Sequence, residues 1–389
     1  MFLLNKALQL FLFLIFFALS LELYAYPEFI GHGYSSCMVC HYNGAGGGPL
    51  TDYGRSLYAS EIAAHKNLDQ SEEEMMDTIA FLGKAPQGKF RPYAKFRELW
   101  LSNGIGTKSK SWYQIHMQQT VGMTVLFDEM EKWIFSGEIG VVPVPMGANT
   151  ARSEETKTLI SREHYLRYQY ADSSWLYFGF LDKPFGIRTP DHTAYSKSKT
   201  GFGQSDQTYG VLWQRVREKW EHFLFVYFGN FNQQADVRTY GVSAMSEYEP
   251  REKLRLGISG AASQNTYVTQ ARGALHGKLG LPNGHALLME AGLKMDKPKT
   301  NVDSTYGAYA YFSGMMKASD GFFATSQGEY LKDSLTAGSP EYLRWGLGIA
   351  YFPIQRIEMR SQIVQTRTMS ESNIGVDAIS WQGQLHLSF

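Results

Sequence analysis

The chain closes on Asp377-Ala378-Ile379-Ser380-Trp381-Gln382-Gly383-Gln384-Leu385-His386-Leu387-Ser388-Phe389. Ile379, Trp381, Gly383, Leu385, Leu387 and Phe389 alternate with Ser380, Gln382, Gln384, His386 and Ser388. Successive side chains of a strand point to opposite faces, so this stretch reads as a strand with one apolar and one polar face. The pattern recurs upstream. Leu343, Trp345, Leu347, Ile349 and Tyr351 oppose Arg344, Gly346, Gly348 and Ala350. Leu287, Met289, Ala291, Leu293 and Met295 oppose Glu290, Gly292 and Lys294, and Trp133, Phe135, Ile139 and Val141 oppose Ser136, Glu138 and Gly140. A soluble β-sandwich also alternates, but its inward face need not be so aromatic. The 389 residues include 24 Tyr, 24 Phe and 8 Trp, yet the mean hydropathy is only −0.28. After residue 25 no apolar run reaches the roughly 20 residues of a transmembrane helix. Such a chain suits a mainly β fold, a transmembrane antiparallel β-barrel with an apolar wall and a polar lumen. Lys+Arg and Asp+Glu are equal at 37 each, so no basic footprint argues for nucleic acid.

The terminal aromatic after this alternation resembles the recognition strand of bacterial outer-membrane barrels. Alternating segments can be placed near 93–101, 112–125, 131–143, 160–170, 174–182, 207–217, 221–231, 251–263, 269–280, 285–296, 304–313, 321–332, 341–352, 356–367 and 377–389. Bacterial single-chain barrels have even strand numbers, with short turns on the periplasmic side and longer loops outside. The connections at Phe127–Met130, Ala171–Ser173 and Glu218–Trp220 are short, but after residue 280 the alternation of short and long is reversed. A further strand at 236–246 restores both the phase and the even count. Sixteen strands are therefore expected over 90–389, with fourteen as the alternative. The longer loops then include 102–111, 144–159, 183–206, 297–303, 333–340 and 368–376. The longest, Lys183–Asp206, either folds inward or lies on the surface. Glu98, His116, Glu138, Glu290, Lys294, Arg344, Glu358, Arg360 and His386 fall on lumen-type faces, giving a lumen of mixed charge.

Residues 1–25 read as a signal peptide, with Lys6 before the apolar run Leu8–Leu19 and Leu23-Tyr24-Ala25 as cleavage site. An uncleaved anchor is the alternative. The second decisive stretch follows it. Cys37-Met38-Val39-Cys40-His41 contains both cysteines of the chain in the Cys-x-x-Cys-His spacing of covalent haem attachment. Two thiols so spaced can bond both vinyl groups of one haem c, and His41 can then ligate the iron as proximal ligand. A disulfide or redox pair is the alternative, and it leaves His41 unexplained. Residues 26–89 are expected to form a small helical haem domain. Thr51 caps a first helix through Ala63, and Ser71-Glu72-Glu73-Glu74 opens a second along Met75, Met76, Ile79 and Leu82.

His32-Gly33-Tyr34, Cys37 to His41, Gly46-Gly47-Gly48, Leu50-Thr51 and Tyr53-Gly54-Arg55 together resemble exported monohaem proteins with an outer-membrane barrel downstream, a porin-cytochrome-like arrangement. That resemblance covers some 25 residues and implies an architecture more than an activity. His32 lies within it and is the first candidate for the distal iron site, ahead of His65, Met75 and Met76.

Three functions compete. A covalent haem in a barrel points first to electron transfer at the outer membrane of a Gram-negative bacterium, with periplasmic or surface cytochromes as partners. The second is a porin whose haem domain is a plug or sensor. The third is a haem enzyme with an open iron site, for which no distal acid–base constellation stands out beyond His32 or His65.

Overall fold

The computed structural model describes residues 27–45, 48–57, 88–105, 111–143, 157–189, 191, 193–203, 206–300, 302–353, 357–370 and 377–388. Its strands are β1 (Phe90–Asn103), β2 (Ser111–Leu126), β3 (Trp133–Pro143), β4 (Lys157–Ile160), β5 (His164–Ala171), β6 (Ser174–Leu181), β7 (Thr208–Arg217), β8 (Trp220–Gly229) and β9 (Tyr240–Arg251). They continue as β10 (Leu254–Gln264), β11 (Val268–Gly280), β12 (Ala286–Pro298), β13 (Thr305–Ser319), β14 (Phe322–Lys332), β15 (Glu341–Tyr351), β16 (Ile357–Met369) and β17 (Asp377–Ser388). All lie in one antiparallel sheet, and β17 returns to pair with β1 from Lys95↔Ser388 to Asn103↔Ser380. The sheet is closed.

Among the seventeen strands, β4 and β5 lie end to end on the same partner, β3. They form one interrupted stave, broken at Ser161–Glu163, so the wall has sixteen staves as the loop phase requires. The stave inferred from phase near 236–246 is β9, somewhat later than expected.

The wall is apolar outside and polar inside. Leu347 is 71% exposed, Leu275 64% and Leu293 63%, whereas the lumen-facing Glu98, Glu290 and Arg344 are all at or below 5%. That inversion is stable only where the outer face meets lipid. Paired aromatics mark both rims of the wall: Trp133 stacked on Tyr168 and Trp220 tilted against Tyr248 at one end, Trp112 stacked on Trp381 at the other. The two ends also differ in backbone. Glu131, Ser173, Glu218, Lys253 and Asn283 all take positive φ, and all sit in the short turns of one rim. Tight hairpin turns need that conformation to match the strand twist. This is the rim assigned as periplasmic from sequence.

The N-terminal part departs from expectation. Thr51 does cap a helix, α1 (Asp52–Leu57), its hydroxyl accepting from the Gly54 amide at 3.0 Å. Otherwise the described segment holds only the single turns Pro27–His32 and Cys37–Val39. Such pieces are too short to build a helical core, and they bury themselves against the barrel instead. The expected helical haem domain is therefore not seen in the described residues. The second helix, with Met75 and Met76, and also His65, lie outside them.

The sidedness has a direct check. Epitope tags inserted beside Gln233 or Thr336 should be reached by antibody on intact cells, and tags beside Glu129 or Lys219 only after the outer membrane is permeabilised. The opposite pattern would invert the barrel.

Candidate functional site in the lumen

Among the described residues, two parts of the chain enter the lumen. The first is the connection between β6 and β7, the long loop that the sequence left between inward and surface positions. It folds inward. Phe185 is buried with Ala274, Tyr309 and Leu331 of the facing wall, and stacks on Phe202 at 4.1 Å. The backbone amide of Gly186 donates to Ser259 Oγ at 2.9 Å, and Arg344 holds Asp191 at 2.9 Å. Lys197, buried in α2 (Tyr195–Ser198), spends its ammonium on the Phe185 carbonyl at 2.8 Å. A loop pinned to the wall at this many points is a fixed constriction.

The second part is the N-terminal segment, which enters from the periplasmic rim. Gly31 lies so close to the backbone of Gly284 and His285 that a Cβ there would collide with both. Beyond it Ser313 donates to Glu28 at 3.2 Å, and burial pushes the Glu28 carboxyl upward in pKa. Further on, Arg167 Nη1 donates to the Tyr42 carbonyl at 3.2 Å, Asn43 donates to Glu163, and Arg91 grips Asp52 through two nitrogens at 2.7–3.0 Å. Ala45 packs on a lumen-facing apolar cluster that includes Tyr165, Tyr177, Phe223 and Phe225.

The Cys-x-x-Cys-His motif sits within this segment. Ser36 accepts from the Met38 amide, and Cys37 O accepts from the amides of Cys40 and His41 at 3.2 and 2.9 Å. In a turn of three residues per revolution positions i and i+3 overlie one another, which brings Cys37 and Cys40 to one side. His41 pairs with Leu50 in a short antiparallel bridge, closing the glycine-rich stretch into a hairpin. Gly54 abuts the Cys40 backbone where a side chain would not fit. The His41 Nδ1 lies 2.8 Å from the Gly48 carbonyl, a bond that makes Nδ1 the protonated nitrogen and leaves Nε2 as the acceptor. Burial lowers the His41 pKa to about 4, so the ring is neutral at pH 7, as a metal ligand must be. Burial likewise raises the Cys37 thiol, and no disulfide joins the two cysteines.

Cys37, Cys40 and His41 line one cavity of about 250 Å³ that opens to the lumen. Two thiols at this spacing beside a neutral imidazole are the donor set that a c-type haem would use. His32 is elsewhere. It is not among the residues lining this cavity, and lies beside Lys253, Lys317 and His285 at the periplasmic rim, its pKa pushed down to about 3 by burial and those cations. No cluster of three or more His, Cys, Asp or Glu forms a separate metal site among the described residues.

Sequence reading did not find two features of the lumen. One is the ion network in which Arg255 holds Glu247 at 2.6 Å and Glu221, with Lys278 and His276 on the other Glu247 oxygen at 2.6 and 2.8 Å. The other is the apolar patch under Ala45. Its signal was available: Ser174–Leu181 and Trp220–Gly229 are apolar on both faces, as strands covered on both sides must be.

No protein-family model matches the chain, and no curated protein matches it. Solved structures do. The outer-membrane-expressed OmpT of Vibrio cholerae superimposes with a TM-score of 0.60 at 10% identity, over 79% of this chain and 99% of that one. The outer membrane channel DcaP of Acinetobacter baumannii gives 0.58 at 12% identity, over 77% and 97%. The anion-selective porin from Comamonas acidovorans gives 0.56 at 8% identity, over 77% and 99%. At such identities the likeness is one of architecture, and what this chain shares with them is the closed, mainly β fold of an outer-membrane barrel.

Proposed function

We propose that this protein is an outer-membrane channel whose lumen is narrowed by its own N-terminal segment, with a covalent c-type haem carried on that segment. The observation that supports the channel is the lumen itself: a sixteen-stave barrel with a charged inner wall and an inward loop pinned to it. Barrels of this size hold an aqueous pathway. The setting is the outer membrane of a Gram-negative bacterium, with lipid as the partner of the apolar wall and the haem segment at the periplasmic end.

Electron transfer, the first expectation from the motif, takes second place to the porin alternative. A single haem at one end of the lumen does not by itself bridge a hydrocarbon core of about 30 Å. When bound, the haem supplies a one-electron couple to the plug. Cys37 and Cys40 would tether it, His41 would offer a neutral imidazole held by Gly48, and Arg167 and Arg91 hold the segment against the wall. Periplasmic or surface cytochromes would exchange electrons with it at the rim.

Conductance tests the channel. In planar bilayers the full chain should give small steps, and a variant lacking residues 27–57 several-fold larger ones. Absence of conductance from both would remove the channel reading. The haem is tested separately. The wild-type band on denaturing gels should show haem-dependent peroxidase stain after export with the haem maturation system, and Cys37→Ala with Cys40→Ala should lose it. A wild-type band without stain would remove the haem.

A further inference from the structure

We propose that His386, on the last strand, would be the second protein ligand to the iron of that haem, since it shares the cavity with His41. The proposal rests on the haem reading above and goes beyond it, because the sequence pointed to His32.

His386 and His41 both line the cavity that holds Cys37 and Cys40, and among the described residues no other histidine does so. The two rings are prepared alike. His41 is fixed through Nδ1 by a backbone carbonyl at 2.8 Å, and His386 through Nδ1 by Glu358 Oε2 at 3.2 Å. Glu358 is itself buried and held by Arg360. A ligating histidine characteristically gives its other ring nitrogen to a carboxylate or carbonyl, which sets tautomer and orientation. What remains on His386 is Nε2, buried and without a hydrogen-bond partner among the described residues. A buried acceptor left without a partner is costly unless something satisfies it, and an iron would do so.

Barrel closure creates this arrangement. His386 stands opposite Glu358 in the β16–β17 register and opposite Arg97 in the β1–β17 register. Only when β17 zips onto β1 does the ring meet the segment that carries Cys37, some 350 positions earlier. The geometry ties plug to wall through one group.

The full chain, exported with the maturation system and purified in detergent, tests this by its spectrum. The oxidised wild type should be low-spin without the near-infrared sulfur-to-iron band. His386→Ala should keep the gel-stable haem but become high-spin, bind carbon monoxide when reduced, and return to low-spin on adding imidazole. Glu358→Gln, which leaves both rings in place, should stay low-spin with a raised reduction potential, since His386 loses its carboxylate partner. The proposal is overturned if His386→Ala stays low-spin, if His32→Ala opens the site instead, or if the wild type is already high-spin. Should His386→Ala not assemble, an unchanged potential in Glu358→Gln overturns it. Wild type without covalent haem overturns the underlying reading, and this one with it.

Discussion

Closure of the sheet by the β1–β17 pairing is the constraint on which the rest of this structure depends. Lipid offers no partner for a backbone N–H or C=O, so an open sheet edge within the bilayer is prohibitive. Nine consecutive partners, from Lys95↔Ser388 to Asn103↔Ser380, remove the two edges. Once the ring is closed, the period of two along every strand becomes an inside and an outside. Glu98, Glu290 and Arg344 turn to the lumen, and Leu275, Leu293 and Leu347 turn to lipid.

A closed lumen with charged walls then has to be filled or left wet. Here the chain fills part of it twice. The β6–β7 loop enters between facing walls and satisfies its own polar groups there, through Ser259, Asp191 and Arg344. The N-terminal segment enters from the periplasmic rim and does the same through Ser313, Arg167 and Arg91. Buried ion pairs of this kind are weak evidence for stability, since desolvation offsets much of their attraction. Their role is to fix position. The Cys-x-x-Cys-His turn is held at one height and one side of the lumen, where Arg255, Glu247 and Lys278 surround it on the other side of Cys37.

Sixteen staves, the short periplasmic turns and the lumen residues were all legible, because alternation and turn chemistry are local. Even β9, whose own alternation is poor, followed from parity of the connections. The boundary misses have local causes as well: Ser161–Glu163 interrupts one stave, and β13 runs to Ser319 because its partner β14 continues the ladder to Phe322. The motif Cys37, Cys40 and His41 was legible for the same reason, since thiol spacing and an adjacent imidazole are properties of five consecutive residues.

What the sequence by itself determined is therefore everything with a short repeat: the barrel, its phase and its two faces. Only the tertiary structure decided where the motif sits and what it meets. Helix signals after Thr51 suggested a self-contained domain, but the described residues 27–45 and 48–57 form only short turns and one short helix that pack against the barrel wall. His32 was favoured because it lies within the stretch that resembles exported monohaem proteins. His386 shares the cavity because the last strand must pair with the first, and that contact exists only in the closed barrel.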